Sequence, residues 1–566
     1  MIVYYLYILF FFLPVRCDES VYDGVITDDG EVIPRYDYGI PKKIGFSAVG
    51  GGSSHFFWVL EILDELANRG HHVTLYTRKD SLKYAEAYPK VHARQVGGDE
   101  STITKDKDAK ISLLHNVPNP MNTVNYGIPS LLKNYTNEYK ELESVLKKDK
   151  VDLMFCDMFA FQCMDATVKS NLPLVLTSTM AYTPDAQTYY TTVDIPSLHH
   201  PTIETQTIYQ RLKYFFYKQY MPYKLKQSNL PAQQFQQQQL GLAMLSNLYN
   251  ENANQALKLV NNIFGLEPAR PLGPLVEMIG PIMKKTYEGL TPEIKQFLSS
   301  HSKIVYVAFG QHSVPTREDT DFIMKALVNQ LENGLIDGIY WASSPKHPTP
   351  NIPSSSSSTS SSNNDNSSDS MKNKNKQRKK INPKDILITS WAPQFAILQH
   401  PSTFMFVTHG GAASLHECLF SKVIPFVYPF FGDQPLSARR VRQLNIGDYI
   451  DTAGMDYTLD EFNELTTRIS HILTDPTIYQ NVQLYSRAVQ LRSKNAVQRG
   501  ADSVEELLYS AHPSNGHMNH RIDVIFGLEW YKKYNLDLIF LVAIFPLLTI
   551  FYNSKKKMTQ KKSKTL

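Results

Sequence analysis

The chain has 566 residues, of which 42% are hydrophobic and 20% charged. That is long for a single core and suits roughly two globular domains plus appendages. Its formal net charge is only +4, and its charges are interspersed rather than blocked, which argues against a nucleic-acid surface.

At the start, Ile2 to Val15 is an apolar run too short for a comfortable membrane span. It is followed by Val15-Arg16-Cys17, so residues 1–17 are expected to be a secretory signal peptide, with an uncleaved anchor as the competing reading. Lys43 to Val49 predicts a strand that Gly50-Gly51-Gly52 breaks. Phe56 to Leu66 carries apolar residues at helical spacing, Arg69-Gly70-His71 stops it, and His72 to Thr77 is the next strand. Val151 to Phe155 and Leu174 to Leu176 continue the pattern as buried strands around a helix, Phe161 to Lys169. From Thr191 to about Gln239 the chain is rich in Tyr, Phe and Gln, which predicts helices and loops over a cleft. Prolines and glycine at Arg270-Pro271-Leu272-Gly273-Pro274 mark a domain boundary.

A second pattern of the same kind follows, with Ile304 to Ala308 as strand, Phe322 to Leu331 as helix and Gly338 to Ala342 as strand. Residues 343–384 form a Ser/Asn/Lys-rich insert expected to be disordered, after which Ile386 to Ile388 resumes the strands. Thr477 to Leu508 predicts helix that closes the second domain and can pack back over the first. The fold class is therefore α/β, two doubly wound Rossmann-like domains at residues 43–270 and 271–510 that face each other across a cleft.

Leu536 to Tyr552 is apolar apart from Asp537 and reaches about 25 Å as a helix, enough for a single span of a thin bilayer. The lysines of residues 553–566 predict a cytosolic tail and a lumenal bulk, a type I topology in the endoplasmic reticulum membrane. Lys562 and Lys564 have the spacing of a retrieval signal, although basic residues that merely stop transfer read the same way. Cys17 belongs to the leader, and Cys156, Cys163 and Cys418 provide no disulfide framework, leaving at least one thiol free. Asn134-Tyr135-Thr136 and Asn366-Ser367-Ser368 are glycosylation sequons.

The densest chemistry lies between Trp391 and Gln434. Phe404 to Val407 reads as a buried strand, Thr408-His409-Gly410-Gly411 as a turn and Ala412 to Leu419 as a helix, which together make an anion site: the glycines admit close backbone approach, and the first-turn amides and the helix dipole attract phosphate. His409 at its mouth and Ser414 in the first turn are placed to donate to a diphosphate. Glu417 projects along the same face toward ribose hydroxyls. A second strand, Val423 to Tyr428, leads to Asp433 and Gln434, a carboxylate and an amide suited to sugar hydroxyls. Trp391, before the helix-like Gln394 to Gln399, offers a flat face for a base.

The ordered set W-x-P-Q, H-P, H-G-G, S-x-x-E and D-Q resembles the donor signature of the UDP-glycosyltransferases, and the resemblance extends over about Ile44 to Leu508. It implies the two-domain GT-B fold and transfer of a hexosyl or glucuronosyl group from UDP-glucose or UDP-glucuronate to a hydroxyl of a small lipophilic acceptor, with inversion and without a metal. Donor contacts are expected from Gly310, Gln311, Trp391, Gln394, His409, Gly411, Ala413, Ser414, Glu417, Asp433 and Gln434. His55, after the first strand, occupies the position of the family's general base. Asp157, at the end of the strand Val151 to Phe155, is the carboxylate that would fix its tautomer.

Three positions depart from the family: Gln311 stands where Ser is usual in the F-G-S turn, Ala413 where Asn bonds the phosphate, and Ser437-Ala438 where N-A is usual. Ala413 supports the alternative, a catalytically impaired UDP-sugar or lipophile binder of the same fold. Asp106-Lys107-Asp108 is the only short acidic pair resembling a metal motif, and its neighbours mark it as a solvated loop.

Overall fold

The structure, a computed structural model, describes residues 25–26, 32–33, 39–49, 52–98, 132–188, 190–191, 202–228, 254–311, 313–345, 347–353, 382–450 and 457–563. The expected signal peptide, Gly50-Gly51, Asp106 to Asp108, the Asn366 sequon and most of the 343–384 insert lie outside the described residues. Residues 1–41 and 42–566 form separate units. In the first, Val25–Ile26 pairs antiparallel with Val32–Ile33.

The second unit holds two parallel sheets. In the first sheet, β1 (Lys43–Ala48), β2 (His72–Thr77), β3 (Val91–Gln95), β4 (Leu153–Asp157), β5 (Leu174–Ser178), β6 (Leu257–Val260) and β7 (Val276–Met278) run in the order β3-β2-β1-β4-β5-β6-β7. The strands read as apolar runs because both faces are covered. Ile44, Phe46, Leu153 and Phe155 point to one core with helix α1 (Ser53–Asn68), whereas Met154 and Cys156 point to the other with α2 (Tyr135–Asp149) and α3 (Phe161–Lys169). That alternation is the two-residue period of a strand. Helix α4 (Ile208–Ser228) follows β5.

After α5 (Pro292–Ser299), the second sheet comprises β8 (Ile304–Ala308), β9 (Gly338–Ala342), β10 (Ile386–Thr389), β11 (Thr403–Thr408), β12 (Ile424–Val427) and β13 (Asp448–Tyr449), ordered β10-β9-β8-β11-β12-β13. Its helices are α6 (Arg317–Glu332), α7 (Gln394–Leu398), α8 (Ala412–Phe420), α9 (Gln434–Gln443), α10 (Leu459–Thr474), α11 (Pro476–Ser493) and α12 (Ala496–Ser510). In both sheets the order reverses beside the first strand, which opens a crevice at the strands' carboxyl ends. The architecture is α/β, as the sequence predicts.

The structure revises the domain limits in two places. The first sheet continues to Met278, so Arg270 to Pro274 is not a boundary but a loop between β6 and β7, fastened where Gly273 N donates to Asp185 O at 2.6 Å. A Pro/Gly cluster marks a turn whether or not a domain ends there. The last helix, α12, also departs from the 271–510 assignment: Ala496, Ala501, Val504 and Leu507 are buried in the first domain's core. Gly500 permits that approach, since a Cβ there would stand 2.7 Å from Ile62 Cδ1.

Cys156 and Cys163 form a disulfide between β4 and α3, and Cys418 is free and buried. At the carboxyl end, α13 (Trp530–Lys533) precedes α14 (Leu536–Ser563). Within Leu536–Lys557 of α14 an 18-residue window has a mean hydropathy of 2.0 and none of it is buried, so the helix is long and apolar enough to cross a membrane.

Candidate active site

Strands β1 and β4 are neighbours in register, Ser47 opposite Cys156, so the turns that leave them emerge side by side. The turn after β1 enters α1 through Gly52, whose φ of 65° is open to glycine. His55 lies in the first turn of α1, its N–H donating to Gly52 O at 3.1 Å. Asp157 is the last residue of β4. His55 Nδ1 and Asp157 Oδ2 are 2.7 Å apart, and the other carboxylate oxygen accepts from Phe159 N at 3.0 Å. Asp157 is thus held at both oxygens and only 2% exposed, while the His55 side chain remains 15% exposed. Phe159 packs beside the imidazole at 5.3 Å between ring centroids.

Burial works against protonation of His55, but the charge and hydrogen bond of Asp157, with a further contribution from Asp433, outweigh it and raise its pKa above the ordinary value of 6.5. Asp157 occupies Nδ1, which leaves Nε2 to exchange a proton. Asp433 stands on the second domain, between β12 and α9. Burial pushes its carboxyl up, opposed by a backbone hydrogen bond, the charge of His55 and a hydrogen bond from Thr179. Two residues of the first domain therefore face this carboxylate across the crevice. A small pocket adjoins it, lined by Thr179, Met180 and Asn262 on one side and Ala412, Asp433 and Ser437 on the other.

The donor half is built where β8 and β11 lie side by side, Ala308 opposite Thr408. The turns that follow converge on His409. A Cβ on Gly411 would stand 2.5 Å from His409 Nε2, and one on Gly310, whose φ is 71°, would stand 2.9 Å from Cε1. Gly411 caps α8 without a side-chain hydrogen bond, so no capping side chain takes up the first-turn amides. Ala413 and Gln311 are exposed and Ser414 is half-buried. Gln394 Nε2 lies 2.7 Å from Glu417 Oε2 and 3.3 Å from Ser414 Oγ, which draws three predicted donor residues into one cluster. Burial raises the Glu417 carboxyl, opposed by Gln394, Lys284 and Tyr287. Trp391 keeps 61% of its surface exposed, and its Nε1 donates to Glu288 at 3.1 Å.

Gln434 departs from its expected place as a sugar ligand. It is 4% exposed, its Oε1 accepts from Phe430 N at 2.8 Å and Phe431 N at 3.2 Å, and its Nε2 donates to Ser313 Oγ at 3.3 Å. The two backbone amides of the preceding turn attract its amide inward, so it shapes the loop that presents Asp433. Among the described residues no group of three His, Cys, Asp or Glu side chains could hold a metal ion.

Residues 365–565 match the family model for UDP-glucoronosyl and UDP-glucosyl transferase. The chain is 26% identical over 430 residues to UDP-glycosyltransferase 1 of Phaeomoniella chlamydospora, covering 73% of this chain and 82% of that protein. It is 22% identical over 518 residues to UDP-glucuronosyltransferase 2B9 of Macaca fascicularis, covering 87% and 88%. The chain is thus similar to UDP-glycosyltransferases over most of its length. Its GT-B fold is shared with the glycotransferase of kitacinnamycin, at a TM-score of 0.56 and 17% identity over 82% of this chain and 99% of that one. A UDP-glucosyltransferase from Polygonum tinctorium gives 0.53 and 17% over 83% and 99%.

The proteins it resembles are named for glycosyl transfer from UDP-sugars. Sequence reasoning missed Thr179, which meets Asp433, and the linker residues Lys284, Tyr287 and Glu288 beside Glu417 and Trp391. Neither segment carries a periodicity that would expose it. Arg440, which could be imagined to reach a hexuronate carboxylate, instead donates from Nε to Gly265 O at 2.9 Å.

Proposed function

We propose that the enzyme transfers a hexosyl or glucuronosyl group from UDP-glucose or UDP-glucuronate, with inversion, to the hydroxyl of a small lipophilic acceptor. His55 Nε2 takes the acceptor proton as the acceptor oxygen attacks the anomeric carbon, and UDP leaves with the electron pair of the broken bond. Asp157 fixes the tautomer and stabilises the imidazolium. The amides at the start of α8, aided by its dipole, and His409 stabilise the departing diphosphate in place of a metal ion. Trp391 stacks the uracil, Glu417 and Gln394 take the ribose, and Asp433 takes sugar hydroxyls. A direct displacement with one base inverts the anomeric centre.

The observation that carries this reading is the 2.7 Å contact of His55 with Asp157, on the wall of the crevice where Asp433 stands opposite. Helix α14 supports a single-pass anchor. With the lysines that follow it in the cytosol, the catalytic part would be lumenal in the endoplasmic reticulum. Ala413 supports a second reading, a binder with impaired turnover, because its methyl offers no hydrogen bond at the first turn of α8. The test is UDP release from UDP-glucose and UDP-glucuronate in the presence of a panel of phenols and aliphatic alcohols. Release that depends on acceptor supports transfer; donor binding without release supports the binder.

A further inference from the structure

The linker between the two domains lies against the nucleoside end of the donor site. On one side, its segment from Lys284 to Glu288 is fastened to α1. Lys285 N donates to Glu61 Oε1 at 3.2 Å, Lys285 Nζ lies 2.5 Å from Asp64 Oδ2, and the Lys284 ammonium sits 3.7 Å from the centroid of the Phe57 ring. On the other side, it is fastened to the donor domain. The Tyr287 ring stacks on Phe395, next to Gln394, at 4.0 Å, and Glu288 accepts from Trp391 Nε1 at 3.1 Å. The Tyr287 hydroxyl accepts from Lys284 N at 3.2 Å and hydrogen-bonds the Glu417 carboxylate. Each of the three nucleoside-side residues, Trp391, Gln394 and Glu417, thus has a linker side chain beside it or beside its neighbour.

Resting on the reading of Glu417 as the ribose ligand, we propose that Lys284 and Tyr287 are positioning residues for donor capture. They hold Glu417 as an oriented anion and tie the nucleoside site to the helix that presents His55. A carboxyl is a pure acceptor at both oxygens only while it is ionised, and burial opposes that state. Around Glu417 the linker supplies Lys284 and Tyr287, while Tyr306 of β8 and Cys418 of α8 are held neutral by burial and by the Glu417 charge. Lys284 also faces Glu288 and Glu61, and Glu61 Oε2 is buried without a hydrogen-bond partner. Lys284 is therefore the one ammonium in this set that faces acidic groups of both domains. Tyr287 contributes direction, since its hydroxyl stands between the linker backbone and the carboxylate.

The test uses the full-length enzyme and compares donor KM, kcat and acceptor KM across pH for wild type, Lys284→Met, Lys284→Arg, Tyr287→Phe and Glu417→Gln. Loss of a hydrogen bond or charge contact to an ionised group predicts a rise in donor KM of about tenfold or more in Lys284→Met and Tyr287→Phe, with kcat at saturating donor and acceptor KM unchanged. In Lys284→Met the acid-side loss of donor affinity should begin at higher pH than in wild type, because burial of Glu417 is then less opposed, and Lys284→Arg should restore it. Wild-type donor KM and pH profile in Lys284→Met and Tyr287→Phe, alongside a raised KM in Glu417→Gln, would overturn the linker's role and leave the donor reading standing. An unchanged KM in Glu417→Gln would overturn both. A lowered thermal midpoint with unchanged donor KM counts against the proposal as well.

Discussion

Replacing Asp157 with Asn keeps the shape of the contact with His55 Nδ1 and removes its charge. Hydrogen bonds to charged partners contribute about 1.5 to 3 kcal/mol, and the imidazolium that forms during proton transfer is the charged partner here. At about 1.4 kcal/mol per decade, kcat should fall on the order of 10- to 100-fold, within the range of general base catalysis. The pH dependence carries a second signature. His55 works as a base when neutral, so the rate rises with pH through its pKa, which in the wild type lies above the ordinary histidine value because Asp157, then Asp433, outweigh burial. In the variant burial remains and the main opposing charge is gone, so the acid limb should move to lower pH while the plateau drops. The assay is kcat against pH at saturating UDP-sugar and acceptor. An acid limb at the wild-type position, or a plateau as high as the wild type's, would refute the coupling of His55 to Asp157.

Gly411→Ala places a Cβ 2.5 Å from His409 Nε2, so the His409 ring or the turn must shift; donor KM should rise while acceptor KM holds, by steady-state kinetics. Ala413→Asn restores a side-chain donor at the exposed first turn of α8 and should tighten UDP binding by about 1 kcal/mol, read by calorimetric titration. Gly500→Val drives a side chain into Ile62 and Ile279 and should destabilise the fold by about 1 to 3 kcal/mol, measured as a lowered thermal midpoint with donor KM unchanged in the folded enzyme.

The elements most legible in the sequence are those whose local pattern suffices. Strands β8 and β11 are apolar runs because both faces of a parallel sheet are buried. The turn from β11 into α8 announces itself because its glycines stand where His409 leaves no room for a Cβ. His55 and Asp157 were findable because each follows or ends a legible strand of one sheet. What stayed hidden depends on partners distant in sequence. The small residues of α12 show which face it buries but not that the core they join is the first domain's. Gln434 has the composition of a sugar ligand, and only the amides of Phe430 and Phe431 reveal that it turns inward. Lys284 to Glu288 has no periodicity, and its place is set by α1 on one side and Trp391 on the other. Cys156 and Cys163 pair across a strand-to-helix turn that spacing alone does not specify.

In the proposed reaction His55 performs the proton transfer while a separate cradle holds the nucleotide. This division of roles is tested most directly by His55→Ala, assayed for UDP affinity by titration and for acceptor-dependent UDP release in the same preparation. Because the hydrogen bond of His55 is to Asp157 of its own domain, UDP affinity should stay within about twofold of wild type, a difference of roughly 0.4 kcal/mol. Transfer should fall by at least about a hundredfold. Transfer at the wild-type rate in that variant, with UDP still bound, would contradict the account.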